Sequence, residues 1–278
     1  MNTREAFDEL KKSLLTIYDE GEVDAIASWT IESVTGLRNG WNEHEMEENQ
    51  LALLKRYENE LLRHRPVQYV LGESYFGNLK LFVDESVLIP RPETEELIMW
   101  VTEIAKKSEQ SAIVDIGTGS GCIALSLKQN LPTAPVSALD FSAKALDVSR
   151  KNAATYNLDI DFIQMDFLQE ESRERLPMFD LIVSNPPYIG LDEQADMESH
   201  VLDYEPHSAL FVTDNDPLQF YKAIEDFGQS KLNKGGYIFC ELNSLYAVAT
   251  KGYFEEKGWT VTIKKDMQGK DRMLMAQR

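Results

Sequence analysis

The chain has 278 residues, 43% hydrophobic and 27% charged, with 47 acidic against 28 basic side chains and a net charge of −19. That length suits two domains, and the composition is that of a folded, soluble protein, which excludes disordered and low-complexity classes. The acidic excess repels a polyanionic backbone, so direct nucleic-acid binding is not expected. No apolar run nears the roughly 18 residues that a membrane span requires, and the acidic start MNTREAFDEL is unlike a signal peptide; a cytoplasmic monomer without membrane contact is expected. Cys122 and Cys240 lack zinc-site spacing and the density of a disulfide framework, so both read as small core residues and no metal is expected.

Residues 1–66 read as a helical bundle. Phe7, Leu10, Leu14 and Ile17 recur at helical spacing, as do Ile26, Trp29 and Val34, then Leu51, Leu54, Tyr57 and Leu61, with Gly21 and Gly36 as punctuation. The third helix is expected from about Asn42 to His64, ending before Pro66. Fourteen acids against eight bases in residues 1–70 give −6, so this part is no basic clamp, and it reads as a packing or partner-docking unit. Residues 67–90 form a linker holding a short hairpin around Gly77-Asn78. Pro92 then opens a helix with the stripe Leu97, Ile98, Trp100, Val101 and Ile104, ending near Lys106-Lys107.

From residue 91 to 278 an α/β domain is predicted. Strands at 112–116, 136–139, 160–164, 181–184 and 237–242 alternate with helices such as 142–156 and 217–227, giving a doubly wound, mostly parallel, Rossmann-like sheet. The last two strands, 259–264 and 272–276, are too close in sequence for a parallel crossover and should be antiparallel neighbours, completing seven strands.

The first of these strands feeds Gly117-Thr118-Gly119-Ser120-Gly121, a loop opening a helix at Ile123, where free backbone amides favour a negatively polarised ligand. Cys122 stands where a dinucleotide fingerprint wants Gly or Ala, and no P-loop lysine is present, so a diphosphate grip is disfavoured. Asp140, 19 residues after Gly121 at the end of the second strand, is placed to accept the hydroxyls of an adenosine ribose. Asp166-Phe167 at the third strand end suits an adenine, the carboxylate taking the exocyclic amine and the ring covering a face. Together these features indicate a nucleoside-bearing cofactor, and S-adenosyl-L-methionine fits the missing diphosphate grip.

The fourth strand runs directly into Asn185-Pro186-Pro187-Tyr188. A conjugated NH2 is a poor nucleophile because its lone pair is delocalised. Two acceptors taking its N–H bonds would localise that pair toward an incoming methyl group. The Asn185 side-chain oxygen and the Pro186 carbonyl, held extended by Pro187, are such acceptors, and Tyr188 could stack on the planar group. Catalysis of this kind is mostly orientation of an in-line displacement.

With these motifs the chain resembles the HemK/PrmC family of class I S-adenosylmethionine-dependent methyltransferases, which methylate the side-chain amide nitrogen of a glutamine in peptide chain release factors. The resemblance rests on Leu71-Gly72-Glu73, on Leu88 to Glu95 with its Pro90-Arg91-Pro92 core, on the glycine loop from Asp115, on Val183 to Ile189, and on Tyr204-Glu205-Pro206 with Ala209-Leu210. It implies that Gly117 to Gly121, Asp140, Phe167 and Asn185 bind S-adenosyl-L-methionine, yielding S-adenosyl-L-homocysteine, and that Asn185 to Tyr188 hold the glutamine amide. It also implies that Arg91 and Thr94 close over the methionine end. The chain departs from the family at Glu241-Leu242-Asn243-Ser244-Leu245-Tyr246, where a glycine and a glutamine commonly follow the glutamate, so no role is assigned to that loop.

Residues 191–226 hold ten acids and one lysine, a net of −9, which reads either as a solvated face or as a docking surface for a basic translation factor. An adenine-N6 methyltransferase of DNA or RNA is the main rival, because the Asn-Pro-Pro-Tyr logic also serves an adenine amine; the acidic charge and the lack of a basic recognition insert argue against it. A non-catalytic binding module is a third reading, opposed by the intact Asn185 and glycine loop.

Overall fold

The computed structural model describes residues 1–37, 43–106, 111–190, 193–194, 197, 199–212 and 216–278. Its contacts divide the chain into two compact units, 1–73 with 198–204, and 74–197 with 205–278.

In the first unit, α1 (Thr3–Leu14) starts at a capping box in which Asn2 and Glu5 satisfy each other's backbone N–H. Helix α2 (Glu20–Thr35) is capped by Asp19 and closed by Gly36 at φ 73°; Gly21 lies inside its first turn and does not punctuate it. Helix α3 covers Glu48–Leu61, shorter than the expected span, whose start at Asn42 falls outside the described residues. Phe7, Leu10, Leu14, Ile26, Val34, Leu54, Tyr57 and Leu61 meet in one core as the periodicity predicts, joined by Ile31, whereas Ile17 and Trp29 are only half-buried and lie outside it. Residues 67–71, expected to belong to the hairpin linker, form a fourth helix, α4 (Val67–Leu71), which Gly72 stops at φ 68°. The described helix Ser199–Tyr204 also belongs to this unit, and the Tyr204 hydroxyl donates to the Arg63 carbonyl at 2.9 Å.

The hairpin of β1 (Glu73–Phe76) and β2 (Leu79–Phe82), which from Ser74 onward belongs to the second unit, turns at Gly77 with φ 54°. Helix α5 (Pro92–Ala105) has its proline at the first turn and ends at Lys106, with Lys107 outside the described residues. The main sheet comprises β3 (Ile113–Ile116), β4 (Val136–Asp140), β5 (Asp161–Gln164), β6 (Phe179–Ser184), β7 (Leu232–Glu241), β8 (Thr260–Lys265) and β9 (Asp271–Gln277). Their order is β5-β4-β3-β6-β7-β9-β8, parallel throughout except for β9, which lies antiparallel between β7 and β8. The doubly wound seven-stranded sheet and its antiparallel final pair are thus as expected.

Strand alternation sorts the core onto two faces. Ile113, Leu181, Val183 and Phe239 pack with Leu97, Trp100 and Leu125 on one face; Val114, Ile116, Ile182, Ile238 and Cys240 pack with Tyr221, Ile224 and Phe254 on the other. Because β3 to β7 are parallel, the residues following them gather at one sheet edge, the place where open α/β sheets bind ligands.

Candidate active site

A cleft of about 1050 Å³, including its open mouth, runs along that edge. Its lining includes Gly117 to Ser120, Asp140, Asp166-Phe167, Asn185 to Pro187, Arg91 and Thr94, so most of the predicted site residues converge. Gly121 and Tyr188 do not line it.

The glycine loop is held from below. The Gly117 and Thr118 amides both donate to the Leu139 carbonyl at 2.9 Å, and Gly121 donates to the Thr118 carbonyl at 2.8 Å. Gly117, Gly119 and Gly121 have φ of 75°, 54° and 85°, a region that side-chain-bearing residues rarely enter. A Cβ on Gly121 would also lie 2.5 Å from Leu125 Cδ1, so this glycine is required by helix packing rather than by cleft contact. Beneath the loop, Asp115 is fully buried. Its Oδ2 accepts from the Thr118 hydroxyl at 2.7 Å and the Ala124 amide at 3.2 Å, while Oδ1 has no partner, and burial pushes the carboxyl up to about 7.

Asp140 Oδ2 accepts from the Gly119 amide and Oδ1 from the Ser142 amide, both at 2.9 Å. Each oxygen keeps a lone pair, so the carboxylate is oriented by the loop and can still accept two hydroxyls, as a ribose diol requires. Burial raises its pKa despite these bonds. Ser120 Oγ is buried with no hydrogen-bond partner and also borders the cleft. Phe167 is buried edge-on against Phe227, whereas Asp166 is exposed and bonds its own turn, accepting from the Leu168 amide and Gln169 Nε2 at 3.1 Å each. A curved glycine cradle, a diol-accepting carboxylate and an aromatic wall fit an adenosyl group and offer no cluster of diphosphate-binding cations.

Asn185 stands at the end of β6, part-buried, and its Nδ2 donates to Thr94 Oγ1 at 3.2 Å. Thr94 Oγ1 in turn donates to Glu241 Oε2 at 2.6 Å, and the Tyr188 hydroxyl donates to Glu241 Oε1 at 3.2 Å. Tyr188 therefore differs from the expected stacking partner: its hydroxyl is directed at Glu241 and its ring packs on the Tyr221 and Phe254 face of the core. Arg91 is ion-paired with the buried Glu205, which also accepts from the Ile89 amide at 3.1 Å. Thr94 and Arg91 border the cleft, but each already has a partner within the chain.

Several residues escaped the sequence reading. Phe141, 55% exposed, lines the cleft beside Asp140. Cys122 is only half-buried and borders the cleft, unlike the fully buried Cys240. Asn152, 1% exposed, bonds both the amide and the carbonyl of Phe82 and donates to the Ser120 carbonyl at 2.9 Å, tying the hairpin to the glycine loop. Glu241 carried a signal: an acid terminating the otherwise apolar strand Tyr237 to Cys240 at the ligand-binding edge. The acidic stretch is also less of a surface than its charge suggests. Glu205 is spent on Arg91, Glu225 is buried and accepts from Trp259 Nε1 at 2.8 Å, and Glu193 accepts from Asn243 Nδ2 at 3.1 Å; Asp192, Asp196, Glu198 and Asp214 lie outside the described residues.

A family model described as Methyltransferase small domain matches residues 97–203. The chain is 40% identical over 280 aligned residues to a release factor glutamine methyltransferase of Flavobacterium psychrophilum, covering 95% of this chain and 94% of that protein. It is 41% identical to one of Bacteroides thetaiotaomicron, covering 78% of each chain. In fold it is similar to a methyltransferase from Pyrococcus furiosus, with a TM-score of 0.53, 16% identity, and coverage of 83% of this chain and 98% of that one. Among the described residues no helix is long and apolar enough to cross a membrane, and no group of His, Cys, Asp or Glu is arranged to hold a metal ion.

Proposed function

The chain belongs to the release factor glutamine methyltransferase family, and from that premise we propose that it transfers a methyl group from S-adenosyl-L-methionine to the side-chain amide nitrogen of a glutamine in a peptide chain release factor. The carrying observation is that Asn185 borders the same cleft as the glycine loop and Asp140, with its amide nitrogen already committed to Thr94.

S-adenosyl-L-methionine supplies the electrophilic methyl on its sulfonium. Asp140 would accept the ribose hydroxyls, the Ser120 hydroxyl would face the ligand, and Phe167 with Phe141 would border its base, while the amides of Gly117, Thr118, Gly119 and Gly121 hold the loop in shape. Arg91 and Thr94 hold the amino-acid end. Asn185 Oδ1 and the Pro186 carbonyl accept the two N–H bonds of the glutamine amide and turn its lone pair toward the methyl group. Pro186 and Pro187 fix the backbone that makes this geometry, so the contribution is orientation and electrostatic stabilisation without a general base. The nitrogen sheds its extra proton after transfer, because an N-protonated amide is strongly acidic. Tyr188 supports the turn through Glu241.

In this reading the helical unit, which α4 extends to residue 71, docks the substrate protein, and residues 91–278 carry the methyltransferase domain, working in the cytoplasm where release factors act. The test is peptide mapping by mass spectrometry after incubation with a purified release factor and S-adenosyl-L-methionine, beside a duplex DNA control. One methyl group on a glutamine supports the proposal; methyladenine in the DNA with an unmodified release factor overturns it in favour of the nucleic-acid reading.

A further inference from the structure

We propose that Glu241 is a positioning residue for methyl transfer: as an acceptor-only carboxylate at the head of the chain Glu241–Thr94–Asn185, it fixes which end of the Asn185 amide faces the substrate. The inference rests on the amide-acceptor role given to Asn185 above.

The argument is one of hydrogen-bond polarity. An ionised carboxylate only accepts, so both hydroxyls beside it must donate: Thr94 Oγ1 to Oε2 at 2.6 Å, and the Tyr188 hydroxyl to Oε1 at 3.2 Å. A threonine hydroxyl has one proton. Once Thr94 has given it to Glu241, its oxygen can only accept, and the group beside it is the Asn185 Nδ2, at 3.2 Å. The amide is thereby oriented with nitrogen inward, leaving Oδ1 as the atom available to a substrate NH2. A flipped Asn185 would set its own N–H bonds against those of the glutamine and leave two facing oxygens, Asn185 Oδ1 and Thr94 Oγ1, without a proton between them.

The surroundings are consistent with a device that holds polarity. Glu241 and Thr94 are 2% and 1% exposed, so water cannot substitute for a lost member of the chain. Burial, reinforced by Glu93, raises the Glu241 pKa above the ordinary carboxylate range, and the Thr94 hydroxyl, the Arg272 guanidinium and the Tyr188 hydroxyl oppose that rise and favour the charged, acceptor-only form on which the inference depends. Arg272 is itself held in place by Asp266 Oδ2 and the Leu242 carbonyl, at 3.1 Å each. Three segments far apart in sequence, α5, the turn after β6 and the end of β7, thus combine to set one amide.

Glu241→Gln is nearly isosteric but brings an NH2 that can donate to Thr94, releasing the threonine proton toward Asn185 and permitting the flip. Its kcat for release-factor methylation should fall by about 100-fold, with the KM for S-adenosyl-L-methionine held within about three-fold. Thr94→Val, which cuts the chain in the middle, should lose kcat to a similar extent, and Thr94→Ser, which restores the hydroxyl, should recover at least about ten-fold over Thr94→Val. This threonine pair decides the matter if Glu241→Gln does not fold. Thr94→Val and Thr94→Ser equal in kcat, or Glu241→Gln within about three-fold of wild type, overturns the inference. Asn185→Ala, run in parallel, separates the two claims: if it too retains activity, the Asn185 role has failed, whereas an inactive Asn185→Ala beside a fully active Glu241→Gln condemns only the positioning role.

Discussion

The two walls of the cleft are built by different means. On the wall proposed to hold the cofactor the lining groups are fixed by backbone: three glycines of positive φ, two amides on the Leu139 carbonyl and a carboxylate gripped by the Gly119 and Ser142 amides. On the acceptor wall Asn185 is fixed by side chains, through Thr94 to Glu241, residues 91 and 56 positions away from it in the sequence. A backbone-built site follows from local sequence and tolerates substitution of its neighbours. A side-chain relay can be broken at any member, and its strength shows in rate before it shows in stability.

Substitutions that separate these modes sharpen the contrast. The largest loss of stability is expected for Gly121→Val, which combines the strain of φ 85° with a Cβ 2.5 Å from Leu125; about 3 kcal/mol should be lost in urea unfolding. Asn152→Ala removes three hydrogen bonds, one buried and two part-buried, and frees the hairpin from the glycine loop. A cost of about 2 kcal/mol in the same assay is expected, with weaker cofactor binding as its echo. Asp140→Asn replaces one of the two acceptor oxygens by a donor, setting an NH2 against one of the two backbone amides, and should weaken cofactor binding about ten-fold, or about 1.4 kcal/mol, by calorimetry, with little change in the kcat of the saturated enzyme.

A different kind of effect is a slope with pH. Asp115 is raised from 3.8 to about 7 by burial, so between those values the folded state binds more protons than the unfolded one, and stability from this group falls as pH rises through the window. Asp115→Asn should abolish that contribution, seen as a flatter dependence of the unfolding free energy on pH than in wild type; parallel curves would show that Asp115 does not titrate there.

The same contrast explains what the sequence disclosed. The sheet was legible because buried strands alternate with amphipathic helices, and the antiparallel end because seven residues cannot make a crossover. The insertion of β9 between β7 and β8 was not, since strand order depends on which edge remains unpaired after the helices have packed. The convergence of Gly117 to Ser120, Asp140 and Asn185 on one cleft was legible because each lies at or just after a strand end at the same edge. Residues 67–71 were misjudged because the hairpin signal at Tyr75 to Val83 outweighed a single helical turn. Tyr188 was assigned to the substrate from its motif alone; its hydroxyl partner, Glu241, lies 53 residues downstream and could be joined to it only in three dimensions. The acidic count over 191–226 left the role of the stretch open, because charge in sequence does not distinguish Glu205, buried on Arg91, from an exposed acid such as Asp203.

The central claim is that the cofactor wall holds the methyl donor while Asn185 activates the acceptor. The most direct measurement is single-turnover methylation of a release factor by Asn185→Ala at saturating S-adenosyl-L-methionine, with cofactor affinity measured by calorimetry on the same preparation. The account predicts transfer slowed by at least about 1000-fold with affinity retained within about ten-fold. Transfer at a near wild-type rate would contradict it.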